Sequence, residues 1–213
     1  TSFNENSVIA EFFTKSHGKC SGIIFGGTSK KIKNYLQVGN KFHINYNFKN
    51  DGKTGYFKVE ILSANTPLYF DDKNKLLCIS SAISLVRLLT VESQINTKVF
   101  ENLEIFFENL NSQKWLKKYI FWELSLLKFL GYDLNLKNIV TSKSINNQNK
   151  YFVTSNSVYK EVPSFLINMD EDVDLDTLLL GLKLVTDYLE KSVLTPNNVS
   201  HPYQRINFIN ILK

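Results

Sequence analysis

Nine lysines crowd the first sixty residues, and eight of them are candidate contacts: Lys15, Lys19, Lys30, Lys31, Lys33, Lys41, Lys53 and Lys58. Aromatic residues stand among them. Residue types in this mixture suit one chemistry, the grip of a polyanion: ammonium groups contact phosphates while rings stack on bases. The first seventy residues carry nine lysines, counting Lys49, against four acids, Glu5, Glu11, Asp51 and Glu60. Those five positive charges equal the net +5 of the whole chain, so the remaining two thirds are balanced. A basic segment joined to a neutral one points to a polyanionic partner for the first part. A lysine-rich solvated surface is the plain alternative. Tyr35 and Tyr46 are read as core or half-core residues before stacking platforms.

Other constellations are scarce. His17, His43 and His201 are isolated, with no metal-ligand spacing. Cys20 and Cys78 are far apart, frame neither a disulfide scaffold nor a zinc knuckle, and read as small core residues in a reducing cytoplasm. Gly26-Gly27 is no phosphate loop. The acidic run Asp170, Glu171, Asp172, Asp174 and Asp176 lacks EF-hand spacing and reads as a solvated loop with a helix cap. The expectation is therefore a non-enzymatic protein with no cofactor and no metal. No apolar run reaches membrane-spanning length, and no signal peptide is visible.

The elements that must position the lysines follow two periodicities. Residues 7–14 and Cys20 to Phe25 read as strands, separated by the turn Ser16-His17-Gly18-Lys19. Residues 28–40 read as a basic loop anchored by Tyr35 and Leu36. Residues 41–49 alternate strictly, with Phe42, Ile44, Tyr46 and Phe48 on one face. Asn50-Asp51-Gly52 predicts a hairpin, and 55–62 the return strand with Phe57, Val59 and Ile61 inward. Four strands in sixty residues predict a small barrel or sheet.

After Pro67 the period becomes helical. Helices are predicted over Lys75–Glu92, over Thr97–Asn111 with Thr97 as cap, and from Trp115 to a stop at Gly131. The last of these, WLKKYIFWELSLLKFLG, is apolar on most of its circumference and reads as the core around which neighbouring helices pack. Residues 132–168 are polar, with extended pieces such as Tyr151-Phe152-Val153 and the makings of a β-ribbon. Asp174 or Asp176 caps a long helix with Leu178, Leu182, Val185 and Leu189 inward. A final helix runs from about Ser200 to Leu212. The fold class is thus α+β: a β-barrel domain over 1–68, then an all-α domain over 69–213 with an irregular insertion at about 138–165.

The order of these parts resembles the RecO family of bacterial DNA repair and recombination proteins, in the style of its alphaproteobacterial branch. NENSVIAEFFTKSHGKCSGIIFGG is similar to that family's second and third barrel strands, and TSKKIKNYLQVGN to its basic loop and Leu-Gln-x-Gly turn. WELSLLKFLGYDLNLKNIVT is similar to its central helix and exit, and LDTLLLGLKLVTDYLEKSVL to its C-terminal helix. The resemblance implies an N-terminal OB-fold and a helical second domain. It implies binding of single- and double-stranded DNA, strand annealing, and loading of RecA with RecR. It also implies docking on the C-terminal tail of single-stranded-DNA-binding protein, RecF as a further candidate partner, and a cytoplasmic, nucleoid-associated place. Relative to the family, a first strand is expected to be missing ahead of Thr1. The Cys cluster that some members carry after the central helix has no counterpart in NIVTSKSINNQNKYFVTSNSVYKEV, so zinc is not expected. Docking of the acidic tail is expected at the densest basic–aromatic cluster of the helical half, Lys114, Trp115, Lys117, Lys118 and Phe121. The alternative is a protein-interaction adaptor with an OB-like domain and weak nucleic-acid binding.

Overall fold

The computed structural model describes residues 2–47, 54–145, 148–155 and 158–213. Its chain is α+β, with strands first and helices after. Two compact units divide it: residues 1–101 with 202–211, and residues 102–201 with 212–213.

In the first unit, β1 (Ser2–Asn4), β2 (Ser7–Thr14), β3 (Gly18–Phe25), α1 (Lys30–Tyr35), β4 (Lys41–Asn47) and β5 (Tyr56–Ser63) form a mixed sheet in the order β1-β2-β3-β5-β4. Neighbours are antiparallel except β3 and β5, which run parallel with Ile23 opposite Tyr56. This strand order, with α1 between β3 and β4, is the OB-fold arrangement. Two expectations are corrected. The sheet is not a closed barrel, since β1 and β4 stand at its two ends among the described residues. The short β1 pairs Ser2 with Val8 and Asn4 with Ser7. The basic loop contains a helix: Ser29 accepts a hydrogen bond from the Ile32 N–H at 3.4 Å, which caps the first turn. The predicted hairpin at 50–52, with Phe48 and Lys53, lies outside the described residues.

Alternation in β2, β3, β4 and β5 puts one face inward. Cys20, Ile24 and Phe57 are its buried centre, with Val8, Ala10, Phe12, Ile44, Tyr46 and Val59 packed around them. Ile32 and Leu36 of α1 reach the same core, so α1 carries its lysines on the opposite side. Phe57 meets Phe12 edge-on at 5.0 Å and Tyr46 at 4.6 Å. Ile61, expected inward, stays 40% exposed. A register shift between Lys41 and Phe42 pairs Lys41 with Ser63 and Phe42 with Ile61, which interrupts the alternation at this end of the pair.

Burial pushes the Cys20 thiol up to about 11, helped by the carboxylates of Glu92 and Glu11. A thiol so held is a poor nucleophile. Cys20 is therefore expected to resist iodoacetamide at pH 8 in the folded protein and to react on unfolding. Equal rates in both states, measured by mass spectrometry, would contradict its placement. Because the folded value lies above the ordinary 9.0, its contribution to stability is complete below pH 9 and is lost as pH climbs toward 11.

The first unit continues with α2 (Lys73–Leu89), capped by Asp72, whose carboxylate accepts from the Lys75 N–H at 3.1 Å. Next is α3 (Thr97–Asn109), of which only residues up to Glu101 belong to this unit; its cap is Asn96 rather than Thr97, the side-chain oxygen accepting from Val99 N–H at 3.1 Å.

In the second unit, α4 (Trp115–Phe129) is the predicted core helix. Its stop is a Schellman turn: Gly131 has φ +91°, its N–H donates to Lys128 at 3.0 Å, and the Tyr132 N–H donates to Leu127 at 2.8 Å. Around it come α5 (Leu136–Ile139), a three-stranded antiparallel sheet β6 (Thr141–Ile145), β7 (Gln148–Ser155) and β8 (Val158–Val162), and α6 (Leu175–Leu189), which packs on α4. The ribbon anticipated after the central helix is this sheet. Asp174 caps α6, accepting from Thr177 N–H at 2.8 Å, and the Thr177 hydroxyl and N–H hold its carboxyl below the usual range. The last helix, α7 (Tyr203–Leu212), belongs through Ile211 to the first unit and begins three residues later than expected, just past Pro202.

Candidate nucleic-acid interface

OB-folds commonly offer the outer side of strands 2 and 3 to oligonucleotides. Here residues 87–94 are tied across that side. The Lys19 ammonium donates to the carbonyls of Arg87 at 2.8 Å and Thr90 at 2.7 Å, satisfying the end of α2. Arg87 pairs with Glu11 at 3.0 Å, and the Ser93 N–H donates to Lys19 O at 2.8 Å. Gly18 makes the approach possible: at φ +67° a Cβ would fall 2.0 Å from the Gln94 carbonyl oxygen. Lys19 is thus committed within the fold. Lys15 pairs with Glu101 at 3.6 Å, and the Lys41 ammonium lies 5.9 Å from the Phe100 ring centroid.

The other described lysines sit differently. Lys30, Lys31 and Lys33 are exposed on α1, Lys58 is exposed on β5, and none of the four is ion-paired among the described residues. Near them is an aromatic pair that the sequence reading passed over. Phe25, 58% exposed, ends β3, and its ring lies 5.7 Å from that of Tyr56 at the start of β5. Both lie on the outward face, because Ile24 and Phe57 point inward. Alternation from Cys20 onward carried this signal, since odd residues after Cys20 must face out. Lys58 follows Tyr56 on the same face, opposite Asn45 of β4. Tyr46 is a core residue as expected, its hydroxyl donating to Ser21 O at 3.1 Å. Tyr35 is half-buried and tilted over Phe42.

The cluster expected to dock a partner lies on α4. Lys114 forms an ion pair with Asp172, whose carboxyl that ammonium holds below the usual range. Lys117 is buried, its ammonium donating to Glu171 O at 2.5 Å. Glu171 also accepts from the Ser164 hydroxyl at 2.8 Å. Asp172 and Glu171 are thus tied to the start of α4, while Asp170, Asp172, Asp174 and Asp176 are exposed and Asp174 caps α6, as expected of a solvated loop with a helix cap. Trp115 and Lys118 are half-buried, and Phe121 meets Phe165 edge-on at 6.0 Å. Among the described residues, no group of three His, Cys, Asp or Glu is placed to hold a metal ion, and no helix is long and apolar enough to cross a membrane.

The family model described as "Recombination protein O N terminal" matches residues 1–64, and "Recombination protein O C terminal" matches residues 71–192. The chain belongs to the recombination protein O family. Its members include the "DNA repair protein RecO" of Wolbachia pipientis from Culex pipiens, 28% identical across 97% of this chain and 92% of that protein. The proteins of the same name from Rickettsia canadensis and Rickettsia rickettsii are 29% and 30% identical, each over 91% of this chain and 85% and 86% of theirs. These relatives are alphaproteobacterial, in accord with the resemblance drawn from the motifs, and membership carries a role in DNA repair and recombination.

Proposed function

We propose that this chain is a non-enzymatic recombination mediator that binds single- and double-stranded DNA, anneals complementary strands and helps load RecA with RecR. The observation that supports it most is the outward surface of the OB-like sheet. Exposed Phe25 and half-buried Tyr56 share the outward face with Lys58, and α1 adds three exposed lysines after β3. Rings and ammonium groups so arranged bind single strands without reading sequence. The same reading includes docking on the acidic tail of single-stranded-DNA-binding protein, RecF as a candidate partner, and work at the nucleoid. It needs neither metal nor nucleotide, so annealing is expected to proceed without ATP and in EDTA.

The test is a titration with labelled oligonucleotides at several salt concentrations. Changing Lys30, Lys31 and Lys33 together to Ala is expected to weaken binding to every sequence alike. It is also expected to flatten the plot of log affinity against log salt by about 2, at roughly 0.7 per lost single-strand phosphate contact. An unchanged slope removes α1 from the site. Wild type without measurable affinity returns the adaptor reading.

A further inference from the structure

The small sheet of the second unit has two unlike faces. One is turned inward through Val162, only 1% exposed, with Tyr151 and Val153 half-buried beside it. The other carries Lys143 on β6, Lys150 and Phe152 on β7, and Tyr159 and Glu161 on β8, as the antiparallel registers require. Tyr159 is 60% exposed. Lys143 and Lys150 are direct cross-strand partners, and like charges so placed destabilise a sheet. Glu161 offsets one of them, at 3.0 Å from Lys150. No carboxylate among the described residues offsets the other. The Lys143 ammonium instead lies 4.4 Å from the Tyr159 ring centroid and 5.9 Å from that of Phe152. A positive charge is thus fixed beside an exposed ring, on the face opposite buried Val162.

We propose that this outward face, built on Lys143, Lys150, Phe152 and Tyr159, is a second surface for single-stranded nucleic acid, separate from the one on the OB-like sheet. A phosphate completes the lysine pair, and a base stacks on the exposed Tyr159 ring. The proposal rests on the reading of the chain as a DNA-binding mediator. It gives that reading a mechanism, because annealing needs two strands held by one protein, and each unit then presents one.

Two measurements on the full chain test it. In the first, oligo(dT) carrying 5-iodouracil is photocrosslinked to wild type, and adducts are mapped by mass spectrometry. Adducts are expected at Tyr159 or Phe152, and they should persist in the Lys30, Lys31, Lys33→Ala variant. In the second, Lys143→Ala with Tyr159→Ala is expected to slow annealing of complementary oligonucleotides about tenfold, the loss of one stacked base, while binding of one strand persists. Tyr159→Phe, which keeps the ring, should anneal like wild type. Wild type that binds oligo(dT) yet gives no adduct between 141 and 162 overturns this surface and leaves the mediator reading standing. Wild type that binds no DNA overturns both. Displacement of the adducts by an acidic peptide as readily as by unlabelled oligo(dT) would overturn it in favour of a protein partner. Because crosslinking uses the unaltered chain, a variant that fails to fold does not leave the question open.

Discussion

Changing Trp122 to Ala is expected to lower the unfolding free energy by about 3–5 kcal/mol, near the top of the range for one core side chain. Trp122 is 3% exposed in the second unit. Its ring stacks on Tyr119 at 5.7 Å and lies 5.1 Å from Phe106 of α3. It is also tied by reciprocal hydrogen bonds: the indole N–H donates to Asn102 O at 2.9 Å, and the Asn102 amide donates back to Trp122 O at 3.3 Å. Truncation therefore opens a cavity and removes the indole hydrogen bond in one step. Trp122→Phe fills most of the space but loses the indole hydrogen bond, so a loss of about 0.5–1.5 kcal/mol is expected for it. Urea denaturation followed by circular dichroism reads both. A loss below about 1 kcal/mol for the Ala variant would mean that α3 and α4 are not joined through this residue.

The central helix was legible because its signals are local. Apolar residues recur on nearly every turn from Trp115, and Gly131 can adopt the positive φ that ends a helix without strain. The strands were legible for the same reason, since alternation in β4 and β5 sorts Phe42, Ile44, Tyr46, Phe57 and Val59 inward without reference to the rest of the fold. The lysines were not so easily sorted. Lys19 and Lys30 are alike in sequence, yet one ammonium caps a helix 68 to 71 residues away and the other meets solvent. Lys117 and Lys118 are adjacent, and only Lys117 is drawn inside, by a carbonyl 54 residues on. Such partners depend on tertiary placement that no local pattern encodes. The α1 helix was missed because six residues with three lysines lack a clear apolar stripe. Ile32 and Leu36 supply one only once the sheet is there to receive them.

Removing the Phe25–Tyr56 pair should separate the two components of DNA binding. Base stacking on an aromatic ring contributes about 1–3 kcal/mol per base, and it carries no charge. Phe25→Ala with Tyr56→Ala is therefore expected to weaken binding of oligo(dT) about tenfold to a hundredfold while leaving the salt slope as in wild type. The lysine variant of α1 should do the reverse, losing slope and keeping the stacking. Phe25 is 58% exposed, so its removal costs little core, and a melting temperature close to wild type is expected for Phe25→Ala alone. Tyr56→Phe keeps the ring and should bind normally. Fluorescence anisotropy at four salt concentrations reads affinity and slope together. Should the aromatic double variant bind as tightly as wild type, the outward sheet face would be a phosphate surface only, with bases held elsewhere. Should it lose slope as well as affinity, the two rings would be positioning Lys58 rather than stacking, because only a displaced cation changes the number of counterions released.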